Sequence, residues 1–447
     1  MGGPGRSHCP ARHQCVYSQE KMEGEPRPGD IPGGHEASKL SGHGVCDDGH
    51  ERSVLTELQT DVAVVGVGAM GSAALWRLAE RGVPAMGFER FAPGHDRGSS
   101  HGESRIFRTA YLEGPGYVPL AQRAVQLWRE LERVSGADLM IQNGALTLGA
   151  RDSSVISATM RSIRAYNLEH ELLDGDELRA RYPAHRIAAG EVGIREAQGG
   201  LVRPERGILA AVARAEDLGA RVYRGVTIDR IELEPDGVRL IATDLVCKAN
   251  HAVVAVGSWL STLLPELQVP LRVTRQVPGW YPIEHPELFA PERFPVFIRD
   301  LGGLDGLGGS IAEDSSFYGF PTLDGKTIKA SIHREGPLTD PEHLDPTITS
   351  DDIVQVEECI KLFLHGVATE PVQTQVCMYT NTPDHDFLIG SPAGMPQLTV
   401  LGGFSGHGFK FAPVIGEVGA DLATRGETDQ PVGFLSPNRF VQNAAAS

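Results

Sequence analysis

The stretch DVAVVGVGAMGSAALWRLAERGVPAMGFER, residues 61–90, decides the fold. Its first six residues form an apolar run without polar alternation, the pattern of a strand buried on both faces. Ala73, Ala74, Leu75, Leu78 and Ala79 then recur at helical spacing, and Gly82 ends that helix. VPAMGFER (83–90) predicts a second strand ending at Glu89. Gly66, Gly68 and Gly71 sit between the first strand and the helix in G-x-G-x-x-G spacing. The first permits a tight turn, the second lets a diphosphate approach the backbone, and the third lets helix and strand pack closely. The diphosphate rests on free N–H groups at the helix amino end. Glu89 stands where a carboxylate accepts hydrogen bonds from ribose hydroxyls. Such a unit binds an adenine dinucleotide, but the motif alone does not separate NAD from FAD.

Working outward, residues 117–136 predict a long amphipathic helix, EPDGVRL (234–240) a hairpin, and HAVVAVGSW (251–259) another buried strand. Residues 398–426 return to strand, glycine loop and helix. Most prolines, several glycine-rich stretches and strand-like alternation fall in 265–376, which points to a second domain built on a sheet. Residues 1–58 lack hydrophobic periodicity and are expected to be a disordered or extraneous tail, with order beginning at Asp61. Its histidines and Cys9, Cys15 and Cys46 fit no metal-ligand spacing, so no metal is expected.

A chain of 447 residues has room for two domains. Lys and Arg total 41 against 58 Asp and Glu, a net charge of −17, which argues against nucleic acid or an anionic membrane surface as partner. A small anionic substrate needs only a local cluster of cations. The six cysteines show no CxxC spacing, no apolar run reaches the roughly 20 residues of a membrane span, and no secretory or peroxisomal address is read at either end. The expected compartment is the cytoplasm.

Two loops carry cations among glycines: GSSHGESRIFRTAY (98–111), with Arg105 and Arg108, and GGFSGHGFKF (402–411), with Gly406, Gly408 and Lys410. Glycine loops that bear a lone charge are more often sites than packing devices. Between them lies TQVCMYTNTPDHDF (374–387). Its Cys377 is a nucleophile, a metal ligand, a cofactor tether or core filler. Asp384, His385 and Asp386 are consecutive and cannot easily converge on one ion, so a turn is expected there.

GVGAMG, GSSHGESRIFRTAY, FYGFP (317–321), KASIH (329–333), CMYTNTPDHDF and GGFSGHGFKF occur in order along nearly the whole chain from Asp61. Together they resemble the monomeric sarcosine oxidase and N-methyltryptophan oxidase family of flavoprotein amine oxidases. The resemblance implies an α/β fold, with a Rossmann-like FAD-binding domain and a substrate domain on a mixed β-sheet. The first would comprise residues 59–142, 197–262 and 377–432, the second 143–196 and 263–376, with 433–447 a C-terminal tail. It implies FAD bonded through Cys377 and held by Gly66, Gly68, Met70, Gly71, Glu89, Arg105, Gly406, Gly408 and Lys410. Arg108 and Lys410 would grip the substrate carboxylate, while Tyr318, His333 and Tyr379 line the amine side of the pocket. Arg105 would stack near the flavin ring, and Lys329 would activate O2.

The implied reaction is oxidation of a secondary amino acid such as sarcosine to an imine. The imine is hydrolysed to aldehyde and amino acid, and O2 is reduced to H2O2 by a monomeric enzyme. N-methyltryptophan, pipecolate or a glycated amino acid would satisfy the same grip. A flavin dehydrogenase, or one subunit of a larger oxidase using another acceptor, is the alternative. The glycine-rich stretch RDLGGLDGLGGSIAEDSSF (299–317) reads as an insertion beside the substrate pocket.

Overall fold

The computed structural model describes residues 55–302, 315–333 and 336–440. Nearly all of the expected tail, with its histidines and three cysteines, and most of the glycine-rich insertion lie outside the described residues.

The first strand runs Thr56–Val65, starting ahead of the expected Asp61. Its early residues pair in parallel with Leu245–Val254, from Thr56 opposite Leu245 onward. Their side chains are mostly exposed, so hydrogen bonding extends the strand where hydrophobicity gives no signal. The fingerprint unit follows as expected, with helix Ala69–Glu80 and parallel strand Ala85–Glu89. Around it an eight-stranded sheet is ordered Arg230–Glu234, Gly237–Ala242, Leu245–Val254, Thr56–Val65, Ala85–Glu89 and Arg221–Arg224. Strand Leu398–Gly402 adds beside Leu245–Val254, and Leu388–Gly390 pairs with it in turn. The expected hairpin is the antiparallel pair Arg230–Glu234 and Gly237–Ala242. Helices Ala69–Glu80, Val118–Ser135, Pro204–Asp217 and Ala412–Arg425 share one apolar core over this sheet. None among the described residues is long and apolar enough to cross a membrane.

A second eight-stranded sheet is mixed: Val296–Asp300 runs parallel to Ala145–Ala150 and antiparallel to Ser316–Gly319, which pairs antiparallel with Thr327–His333. Alternation along these strands gives the sheet two characters. Phe297, Phe317 and Ile332 point into an aromatic-rich core closed by Phe363 and Ile360 of helix Ser350–Phe363. Ile298, Tyr318, Lys329 and His333 line a cavity on the opposite face. Strand Cys377–Asn381 pairs with Arg272–Gln276, which brings Cys377 to that cavity.

His185 lies in the aromatic core, stacked on Phe294 at 4.8 Å and 3°. Burial, with Arg299 adding to it, drives its pKa well down. Burial likewise lowers His251 to about 4, His333 to about 4 and His407 to about 3. Folded-state values below the unfolded value near 6.5 mean the unfolded chain binds more protons in that interval. Stability is therefore full above pH 6.5 and falls toward pH 4, by about 1.4 kcal/mol per pH unit for each histidine. Thermal unfolding followed from pH 7.5 to 4.5 checks this, and His185→Phe is expected to flatten the slope by one proton.

Candidate active site

The fingerprint turn is built as the glycines demand. Gly66 has φ +83°, and a Cβ on Gly71 would lie 1.8 Å from the Gly66 carbonyl oxygen, so only glycine lets the helix start this close to the strand. A Cβ on Gly68 would meet nothing within 4 Å, because that residue borders open space. No side chain caps the amino end of helix Ala69–Glu80. Its first-turn residues Ala69 and Met70 line a cavity of about 950 Å³ together with Gly66 and Gly68. Glu89, buried beside them, accepts hydrogen bonds from the N–H groups of Val67 (2.8 Å) and Phe91 (2.9 Å), which fixes its carboxylate at the strand tip.

The cavity continues to a cluster of buried charge. Arg108 and Lys410 are 4% and 6% exposed, far less than such side chains tolerate without partners. Arg108 Nη2 donates to both carboxylate oxygens of Glu113 at 2.8 Å, and its guanidinium lies 4.6 Å from the Tyr111 ring centroid. Lys410 Nζ donates to the His407 carbonyl at 2.9 Å and to Tyr111 Oη at 3.3 Å. Burial works to raise the Glu113 pKa, but Arg108, then His407 and Lys410, outweigh it and hold it at about 2. Burial, with Arg108 second and Glu113 opposing, brings Lys410 down to about 7. Arg108 is thus paired with an internal carboxylate on which Lys410 also acts.

Lys329 is 3% exposed. Its Nζ donates to the carbonyls of Gly102 (2.6 Å) and Ser104 (2.5 Å) and lies 4.4 Å from the Phe320 ring centroid. Burial and neighbouring Arg105 lower its pKa well below that of a free lysine, while Glu103 and Glu205 pull the other way. Arg105 donates to the Ser104 and Ser99 carbonyls at 2.9 Å and reaches Cys377 Sγ at 3.9 Å. Burial pushes the Cys377 thiol up, but His101 and Arg105 beside it outweigh burial and leave its pKa below the ordinary thiol value. A thiol with a depressed pKa next to cations has thiolate character and hence nucleophilicity. His333 Nδ1 lies 3.3 Å from Tyr379 Oη, and Tyr318, on the strand beside that of His333, lines the same cavity. Gly406, at φ +80°, is pressed so close to Tyr379 that a Cβ would lie 2.4 Å from the ring.

The family described as FAD dependent oxidoreductase matches residues 61–422. Among curated proteins, a monomeric sarcosine oxidase of Streptomyces avermitilis is 38% identical over 385 residues, 85% of this chain and 98% of that protein. An N-methyl-L-tryptophan oxidase of Citrobacter koseri is 30% identical over 390 residues, 86% of this chain and 100% of that protein. The chain belongs to the monomeric sarcosine oxidase family of FAD-dependent oxidoreductases. Its fold is also that of NikD, an unusual amino acid oxidase, at TM-score 0.74 and 24% identity over 85% of this chain and 98% of that one. An L-proline dehydrogenase from P. horikoshii superimposes with TM-score 0.71 at 21% identity, over 87% and 99% of the two chains.

FAD is the cofactor of this oxidoreductase, and the residues present fit it. The uncapped helix end at Gly68 suits a diphosphate, the fixed Glu89 carboxylate suits a ribose, and the cavity runs on from there to Cys377 and Lys329. Every site residue expected from sequence lines this one cavity except Gly71, which packs beneath the turn. Asp384, His385 and Asp386 form the expected turn: Asp384 binds Arg439, Asp386 accepts from Tyr117 Oη at 2.7 Å, and His385 lines the cavity. Glu113 and His101 were not anticipated. An acid five residues beyond Arg108, in a loop with Gly114 and Pro115, reads as ordinary surface charge until the loop is seen to fold inward.

Proposed function

We propose that this oxidoreductase oxidises a secondary amino acid of the sarcosine type through FAD bonded to Cys377, with O2 as acceptor and H2O2 as product. The observation that carries this reading is the convergence of Arg108, Lys410, Cys377 and Lys329 on the cavity of the dinucleotide fingerprint. Arg108 offers a fork that matches a carboxylate bidentately, and Lys410 adds a point charge. The substrate carboxylate takes over the place of Glu113, and the amine is directed toward Tyr318, Tyr379 and His333. His333, lowered to about 4 by burial, is neutral at pH 7 and presents no cation to the amine. When bound, FAD supplies the acceptor for a hydride equivalent from the carbon next to nitrogen. Arg105 and Lys329 place positive charge where electrons accumulate, and Lys329 then favours their transfer to O2. Hydrolysis of the imine gives aldehyde and amino acid. The two sheets supply the FAD-binding and substrate domains, and the protein works as a monomer.

Acid precipitation and intact mass of wild-type protein and Cys377→Ser test the tether. The wild type is expected to keep its yellow colour in the pellet with an FAD-sized mass increment, and the variant to lose both. An unchanged increment in the variant overturns the assignment of Cys377. A peroxide-coupled screen of N-alkyl amino acids tests the reaction.

No general base is needed if the amine binds neutral, so flavin reduction at low substrate is expected to accelerate from pH 6 upward. The gain should bend near pH 7, where Lys410 loses its proton, and Lys410→Arg should remove the bend. A stopped-flow profile already flat between pH 6 and 7 would count against a neutral amine.

A further inference from the structure

Helix Ser154–Tyr166 lines the same cavity as the carboxylate grip through Ser154, Val155 and Ala158. The helix is tied to the Arg108 loop by Ser162 Oγ, which donates to the Tyr111 carbonyl at 2.5 Å, and its Ile156 and Ile163 pack with Ala110, Val192 and Ile194. Its start also meets the sheet: a Cβ on Gly149 would lie 3.0 Å from Ser153 Oγ and 3.1 Å from Asp300 Cβ. The first turns of this helix therefore stand between the loop that carries Glu113 and the strand that carries Ile298. Val155 and Ala158, three residues apart and so on one face, line the cavity with Leu112 next to Glu113 and with Ile298, whose register partner is Tyr318. All four are aliphatic and only partly buried, and exposed Ser154 marks the rim.

We propose that this strip of Leu112, Val155, Ala158 and Ile298 receives an aliphatic side chain on the substrate α-carbon, so that the preferred substrates are N-alkyl amino acids larger than sarcosine. The inference rests on the reading of Arg108 and Lys410 as the carboxylate grip. Leu112 adjoins Glu113, which Arg108 holds, so the strip borders the place where the grip takes a carboxylate, and none of its four residues carries an aromatic ring or a charge. An acidic or basic side chain would lose its hydration against that strip without gaining a partner. An aliphatic one gains by leaving water.

The test is a kcat/KM series on holoenzyme with sarcosine, N-methyl-L-alanine, N-methyl-L-norvaline, N-methyl-L-leucine and N-methyl-L-aspartate. Each added methylene is expected to raise kcat/KM by about fourfold until the strip is covered, and the aspartate analogue is expected to fall below alanine. Ala158→Leu should return the larger substrates to the level of sarcosine. Val155→Thr, nearly the same shape but polar, should shrink the gain per methylene without filling space, and it keeps the test alive if Ala158→Leu folds poorly. Sarcosine turned over as well as the larger substrates, or a series untouched by either variant, overturns the proposal. Failure of every N-alkyl amino acid to reduce the flavin would instead overturn the functional reading on which the proposal stands.

Discussion

Replacing Arg108 and Glu113 together by glutamine is expected to raise the KM for an amino-acid substrate by about 100-fold, with kcat within a few-fold of wild type. The size follows from losing a charge-assisted, two-point contact of about 3 kcal/mol. A grip proposed to hold the non-reacting end of the substrate would act before and during reaction alike, so its loss would be uniform binding loss and fall on KM. The pairing of substitutions matters. Arg108→Gln alone would leave the Glu113 carboxylate buried next to Lys410 only, and breaking a buried pair costs about 3–5 kcal/mol of stability. A folding defect would then mimic a binding defect. Glu113→Gln alone removes the internal competitor for the cations, so KM is expected to fall, while Arg108 left without its carboxylate lowers stability by a similar amount. Steady-state kinetics read alongside thermal unfolding decide the matter. An unchanged KM in the double variant would remove Arg108 from substrate binding.

Lys329→Met is expected to slow the reaction of the reduced enzyme with O2 by about a thousandfold while flavin reduction by substrate stays within about tenfold. With FAD bound, O2 would take up electrons one at a time, so negative charge would develop near Lys329 before any proton arrives. A cation about 4 Å away stabilises that charge by about 4 kcal/mol at an effective dielectric near 20, which corresponds to about three powers of ten in rate. The surroundings of Lys329 suit a group held in place for this purpose: two carbonyls and an aromatic face fix the ammonium, while burial keeps water from screening it. Burial also lowers its pKa, so reoxidation should slow as pH rises, and Lys329→Met should lose that dependence. Stopped-flow mixing of photoreduced enzyme with O2 measures both. Equal reoxidation rates in wild type and variant would exclude Lys329 as the source of the charge.

Much of the fold was legible because its central unit is local. Strand, glycine turn, helix and strand of residues 61–90 each leave a period or a punctuation in the chain, and the structure differs from that reading at the edges, extending the first strand back to Thr56 and starting the second at Ala85 rather than at residue 83. The long helix closing at Gly136, which adopts the left-handed conformation, and the hairpin of residues 230–242 were equally plain. Cys377, Arg108, Lys329 and Lys410 stand out singly as polar residues in glycine-rich or apolar surroundings. Their meeting does not, since Arg108 and Lys410 are separated by most of the chain.

The amino-acid pattern alone determined that this protein carries a dinucleotide-binding α/β unit, and its motifs, taken in order, determined the family and the residues bearing charge and thiol. Only the tertiary structure decided that Arg108 spends its charge on Glu113, that His101 stands beside Cys377, and that one wall of the pocket is aliphatic. The reason is physical: backbone periodicity is set by neighbours in the chain, whereas the state of a charge depends on burial and on partners that the folded chain brings from elsewhere.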